Sequence, residues 1–238
     1  MRRTIKQEVL YFMAKQDNMV RLCGRIVNRY DRKNVIIITL SVVEQTKNGE
    51  ARVNHPRIYF FMEDNTGADK FFLHDYVSIT AHIATPRKFR NTGEEYISQA
   101  LVGDTIAARK SIYELLNMEG MGRGPLEPQM NEVVFTGILS SIRKTGDRSA
   151  QVIVDTINNG HRNSITANIA TPDAFKMQIG DKVTVTGKVV TGFYEPQNNR
   201  KNNTESEKDT NDSAVKETEQ KNRVYYQRII GLSISKEE

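Results

Sequence analysis

DYVSITAHIATPRKFRNTGEEYISQALVGDTI, residues 75–106, is the stretch whose reading decides the fold. Val77, Ile79, Ala81 and Ile83 alternate with Ser78, Thr80 and His82. That period of two predicts a strand with one face on a core and the other toward solvent. The alternation breaks at Pro86, and Arg87, Lys88 and Arg90 then surround the single ring of Phe89 before Asn91 and Gly93 turn the chain. Tyr96, Ile97, Leu101 and Val102 predict the returning strand. A hairpin tip of this composition offers cations to phosphates and a flat apolar face to an unpaired base. A plain solvated loop would use the same residues.

The same arrangement recurs near the other end of the chain. Residues 182–190, KVTVTGKVV, repeat the alternation and run into Thr191, Gly192, Phe193 and Tyr194. EEYISQALVGDTI (94–106) aligns with NRVYYQRIIGLSI (222–234), placing Gln99 on Gln227 and Gly103 on Gly231. The second copy differs mainly by an insertion over 199–222, which loop-closure entropy tolerates because it grows slowly with length. The chain therefore reads as a duplicated domain. The tetrapeptide Ile-Ala-Thr-Pro at 83–86 and again at 169–172 falls at different places in the two copies and is read as coincidence.

The remaining strands can be placed around these hairpins. Val20, Leu22 and Ile26 about Gly24 read as a bent first strand, and the run 35–40, VIIITL, as a second. Residues 57–62, RIYFFM, read as a third: Ile58, Phe60 and Met62 suit a core, while Arg57, Tyr59 and Phe61 share the opposite face with His55. Two exposed rings beside Arg57 would make a stacking platform; with both faces buried, Arg57 would instead make a rim ion pair. In the second copy, Val133, Phe135 and residues 137–139 echo the first strand, 152–154 the second, and 165–169 the third. A short helix is expected after Thr171, whose hydroxyl would cap it ahead of Pro172 and Asp173. Another is expected from Ser111 to Met118, and an amphipathic one within 1–17 around Ile5, Val9, Phe12 and Met13.

The expected organisation is an N-terminal extension (1–17), a first domain (18–109), a glycine-rich linker (110–130) and a second domain (131–238) with a disordered loop over about 196–222. The order strand, strand, strand, short helix or turn, strand, strand is that of the OB barrel, so the fold expected is all-β, two tandem OB-fold five-stranded barrels. At 238 residues each half can bury its own core. The chain has no apolar run long enough to cross a bilayer and no signal-peptide core after Arg3, so a cytoplasmic protein without membrane attachment is expected. Cys23 is the single cysteine and the four histidines, His55, His74, His82 and His161, lack metal-ligand spacing, so no metal or other cofactor is expected. Net charge is +5, and because the insertion holds five basic and six acidic residues the remainder stands at +6, compatible with a polyanion.

Several of these segments resemble the bacterial and phage single-stranded DNA-binding proteins. VRLCGRI (20–26) is similar to the family's opening strand, ITLS (38–41) to its second, and HPRIYFF (55–61) to its third. The resemblance implies DNA contact for Arg57 and Phe61, with His55 standing where the family has an aromatic. Arg87-Lys88-Phe89 looks like the family's Arg-Lys-Trp, so Phe89 inherits a stacking role. The second copy departs further, leaving Phe193, Tyr194, Tyr225 and the cations Arg143, Lys144, Arg148 and Arg200 as its contacts. Arg25, Arg29, Tyr30, Tyr59, Arg90 and Tyr96 complete the expected contact set. Residues 235–238, SKEE, do not match the family's acidic tail, so recruitment of other proteins through such a tail is not expected. The resemblance also implies a homodimer presenting four OB folds and, as partners, replication or transfer proteins.

The function expected is thus largely sequence-independent binding of single-stranded DNA during replication, recombination or transfer, by a protein that is not an enzyme. An RNA or tRNA binder and an OB-based protein-interaction scaffold are the alternatives. The sequence has no GxxxxGK[ST] loop, HExxH motif or nucleophile elbow.

Overall fold

The structure is a computed structural model that describes residues 18–45, 48, 50–89, 95–109, 130–158, 161–194 and 224–237. The expected helices within 1–17 and 111–118, most of the linker and the insertion lie outside them. Thirteen strands follow in chain order: β1 (Asn18–Arg32), β2 (Val35–Gln45), β3 (Ala51–Asn54), β4 (Arg57–Phe61), β5 (Tyr76–Ala84), β6 (Arg87–Phe89), β7 (Glu95–Ile97), β8 (Ala100–Ala108), β9 (Asn131–Gly146), β10 (Ser149–Asn158), β11 (His161–Ile169), β12 (Lys182–Tyr194) and β13 (Val224–Lys236).

Ten of these close two barrels. In the first, β1 pairs β2, β2 pairs β4, β4 runs parallel to β8, β8 pairs β5, and β5 returns to β1. The second repeats the circuit as β9, β10, β11, β13 and β12. Closure leaves no free edge within either ring. The expected alternation is realised along β5, where Val77, Ile79, Ala81 and Ile83 are buried and their neighbours half-exposed. They meet Leu22, Ile26, Ile38, Leu40, Ile58, Phe60 and Leu101 in the first core; Phe135, Leu139, Val152, Val154, Ile165, Val185 and Ile229 fill the second. Each such side chain contributes about 2 kcal/mol by leaving water.

Three details differ from the sequence reading. β1 runs on through Arg32 past a bulge between Ile26 and Asn28, so Tyr30 and Arg32 are strand residues rather than loop. The returning strand of the first hairpin is split at Ser98 and Gln99 into β7 and β8. Among the described residues the helices are short 3-10 turns, Met62–Asp64, Ala68–Lys70 and Pro172–Lys176. Thr171 stands at the start of the last of these but makes no side-chain cap bond, its hydroxyl being buried without a partner.

The barrels join through the two first strands, β1 and β9, which pair antiparallel with Val20 opposite Val133. Those two valines are also equivalent in the repeat, so a pseudo-twofold axis passes between them. Hydrogen bonds obey the same symmetry. Asn54 Oδ1 accepts from Thr191 N (3.1 Å) and Asn163 Oδ1 from Thr85 N (2.9 Å). Thr191 Oγ1 accepts from His55 N (2.7 Å) and Thr85 Oγ1 from Ser164 N (3.0 Å). Gln227 Oε1 accepts from Arg57 N (2.8 Å), and Gln99 Oε1 from Thr166 N. The glutamines that align in the repeat thus hold each other's third strand. Two ion pairs break the symmetry: Lys188 Nζ meets Glu44 Oε2 at 2.6 Å, both largely buried between the barrels, and the Arg21 guanidinium meets Glu132 at 3.5 Å.

Candidate nucleic-acid interface

β4 decides what the first barrel shows to solvent. Ile58 and Phe60 point inward and are fully buried, which forces Arg57, Tyr59 and Phe61 onto the outer face. Phe61 remains 45% exposed. β1, carried past its bulge, adds Asn28, Tyr30 and Arg32 to the same face, and β2 adds Ile37 and Thr39. Together with Arg57 and Tyr59 they line an open groove of about 290 Å³. Tyr30 is 55% exposed, with the Arg32 guanidinium 5.1 Å from its ring centroid. This surface joins flat apolar rings to cations without closing over them, as an unpaired nucleic-acid strand requires.

The groove does not end at the first barrel. Arg57 lies 4.0 Å over the ring of Tyr225, which comes from β13 of the second barrel. Tyr225 Oη lies 2.9 Å from His55 O and 3.0 Å from Gln227 Oε1, which share its single proton, and Phe193 on β12 meets Tyr225 edge-on at 5.8 Å. Burial pushes the Tyr225 hydroxyl up to about 12, against the opposing pull of the nearby guanidinium of Arg57. Because the folded state holds this proton more tightly than the unfolded chain, its stabilising contribution is complete below pH 10 and lost as the pH rises toward 12. Phenolate titration should show one tyrosine ionising late, and Tyr225→Phe should remove that step and flatten the alkaline loss of thermal stability.

Not every expected contact residue joins this surface. Arg29 faces the other way: its guanidinium bonds Asp31 (2.8 and 2.9 Å) and the carbonyl oxygens of Asp69 and Phe71, and lies 4.8 Å from the Phe72 ring. The hydrogen bond to Asp31 holds the Arg29 pKa above and the Asp31 pKa below their ordinary values. Arg29 is therefore a clamp beneath the barrel, its donors engaged away from the groove. Arg25 also leaves the groove, donating to His74 O at 3.4 Å.

On the second barrel, Arg143 donates to Gln151 Oε1 (3.1 Å), and Lys144 pairs Asp147 at 3.6 Å and approaches the Phe175 ring at 5.9 Å. Arg148 sits exposed at the turn between β9 and β10. Arg87, Lys88 and Phe89 lie on β6 and Tyr96 on β7, with Lys88 opposite Tyr96; Tyr194 ends β12 opposite Val224. Arg90 and Arg200 lie outside the described residues.

Register identifies the second barrel's counterpart of the β4 face. Ile58 pairs Leu101 as Ala167 pairs Ile229, so Thr166, Asn168 and Ala170 stand where the first barrel has Arg57, Tyr59 and Phe61. Asp155 lies on the same side, joined to Arg162 at 2.6 Å and Ser164 at 2.6 Å. Burial raises the Asp155 pKa, but those hydrogen bonds outweigh it and leave the carboxyl below its usual range. Sequence reasoning missed Arg32 and Gln227. The first could be found from its spacing two residues beyond Tyr30 on a strand, the second from its match to Gln99.

Among the described residues no group of three His, Cys, Asp or Glu side chains could hold a metal ion, and no helix is long and apolar enough to cross a membrane. No protein-family model and no curated protein matches the chain. Solved structures do. The wild-type single-stranded DNA binding protein from Thermus aquaticus is similar over 93% of this chain and 93% of its own, with TM-score 0.58 and 14% identity. A deletion mutant of that protein is similar over 93% and 94%, with TM-score 0.57 and 14% identity. At such identity the likeness speaks to architecture: the chain is a tandem OB-fold protein, with two five-stranded barrels closed in one polypeptide.

Proposed function

We propose that this protein binds single-stranded DNA with little regard to sequence and coats it during replication, recombination or transfer. The observation that carries the reading is the outer face of the first barrel, where exposed Tyr30 lies with Tyr59 among the guanidinium groups of Arg32 and Arg57, and Phe61 follows on the same side of β4. Rings accept any base because every base has a π-face, and cations follow a backbone that is the same at every nucleotide. The Thermus aquaticus proteins, named as single-stranded DNA binding, share the double barrel, which supports the same assignment here. The role is binding rather than catalysis. Two chains together would present four barrels, an assembly that sedimentation equilibrium would test.

A fluorescent oligo-dT titration tests the function. Neutralising about three phosphates on single-stranded DNA gives a log–log salt slope near −2, so affinity should fall roughly fifteenfold between 50 and 200 mM salt. Duplex of the same length should compete poorly, and matched RNA less well than DNA. Salt-independent affinity or a preference for duplex would exclude the reading.

A further inference from the structure

Among the described residues, one row of aromatic rings crosses from one barrel to the other. Phe61, Tyr59 and Arg57 stand at alternate positions along β4, about 7 Å apart on the same face. Tyr225 continues the row under the Arg57 guanidinium at 4.0 Å, and Phe193 follows, 60% exposed. Both last rings belong to the β12–β13 arm of the second barrel. Gln227 on that arm holds the β4 backbone itself, accepting from Arg57 N at 2.8 Å.

From this row we infer that each chain carries one aromatic DNA track, made jointly by the outer face of the first barrel and the arm of the second. The pseudo-twofold axis offers a second track, but among the described residues its third strand carries no Phe or Tyr ring to build one. Thr166, Asn168 and Ala170 replace Arg57, Tyr59 and Phe61, and the arm reaching β11 pairs Arg87 with Ile97 where the other arm pairs Phe193 with Tyr225. On that face the Arg162 guanidinium is engaged by the Asp155 carboxylate at 2.6 Å. The Phe193–Tyr225 pair, although encoded in the second repeat, therefore serves the first repeat's site, and Tyr225 acts there as a positioning residue for Arg57. This inference rests on the proposed single-stranded DNA binding.

The test uses the full chain and an oligo-dT of about eight nucleotides, within the length one OB fold covers. Calorimetric titration should give one strong site per chain. Phe193→Ala should weaken binding about tenfold, as loss of one stacked base implies, while leaving the melting temperature and stoichiometry unchanged. Tyr225→Leu, which strips the ring from Arg57, should weaken the same site and make its salt slope shallower. Two equal sites per chain, or a Phe193→Ala variant within twofold of wild type, would overturn the single shared track. A wild-type chain that binds no oligonucleotide at all would instead refute the functional reading beneath it.

Discussion

A chain carrying both Arg57→Ala and Phe61→Ala should bind oligo-dT roughly a hundredfold more weakly than the wild type while melting at nearly the same temperature. The stability expectation follows from position. Both side chains point away from the core, Phe61 being 45% exposed, and the inward residues of β4 are untouched. Loss of a stacked base at Phe61 is worth about 1 to 3 kcal/mol, and loss of the Arg57 guanidinium adds roughly 1 kcal/mol of phosphate and ring contact. At 1.4 kcal/mol per decade the sum is about two orders of magnitude. Fluorescence anisotropy at fixed salt measures the first quantity and differential scanning fluorimetry the second. Affinity within threefold of wild type would mean that the β4 face is not where DNA lies.

The largest effect on stability is expected at two glycines that occupy equivalent places. A β-carbon on Gly24 would lie 2.4 Å from Ser41 O, and one on Gly137 would lie 2.2 Å from Asp155 O. In both barrels the first strand, shared between neighbours on two sides, here packs against the backbone of the second. The obstructing atoms are backbone, so no rotamer change relieves the clash. Gly24→Ala or Gly137→Ala should each cost about 3 kcal/mol, seen as a melting temperature roughly 10 °C lower. A shift under about 2 °C would show that the close approach relaxes without cost.

The repeat was legible because each copy must close its own barrel, and closure imposes the same alternation of apolar and polar residues on equivalent strands. Val77 and Val183, or Gly103 and Gly231, match because they meet the same local demand. β4 was legible for a similar reason: a five-residue strand with Ile58 and Phe60 buried can only turn Arg57, Tyr59 and Phe61 outward. Arg29 was not. Like Arg57 it is a cation on a strand with aromatics nearby, and only the packing of Asp69, Phe71 and Phe72 beneath the barrel shows that its donors are engaged there. The extension of β1 through Arg32 was hidden by its polar composition, since a strand that projects beyond its core need not alternate.

By itself, then, the sequence determined two copies of a five-stranded barrel and the outward triad of the third strand, because both follow from local periodicity and the demand to bury apolar side chains. Tertiary structure alone decided how the copies share a surface. Pairing of β1 with β9 about Val20 and Val133 carries the second repeat's Tyr225, Phe193 and Gln227 onto the first repeat's strand, a juxtaposition of residues about 170 positions apart in the chain. Local pattern cannot encode that meeting, because it joins backbone groups of one barrel to side chains of the other that lie far away in the chain.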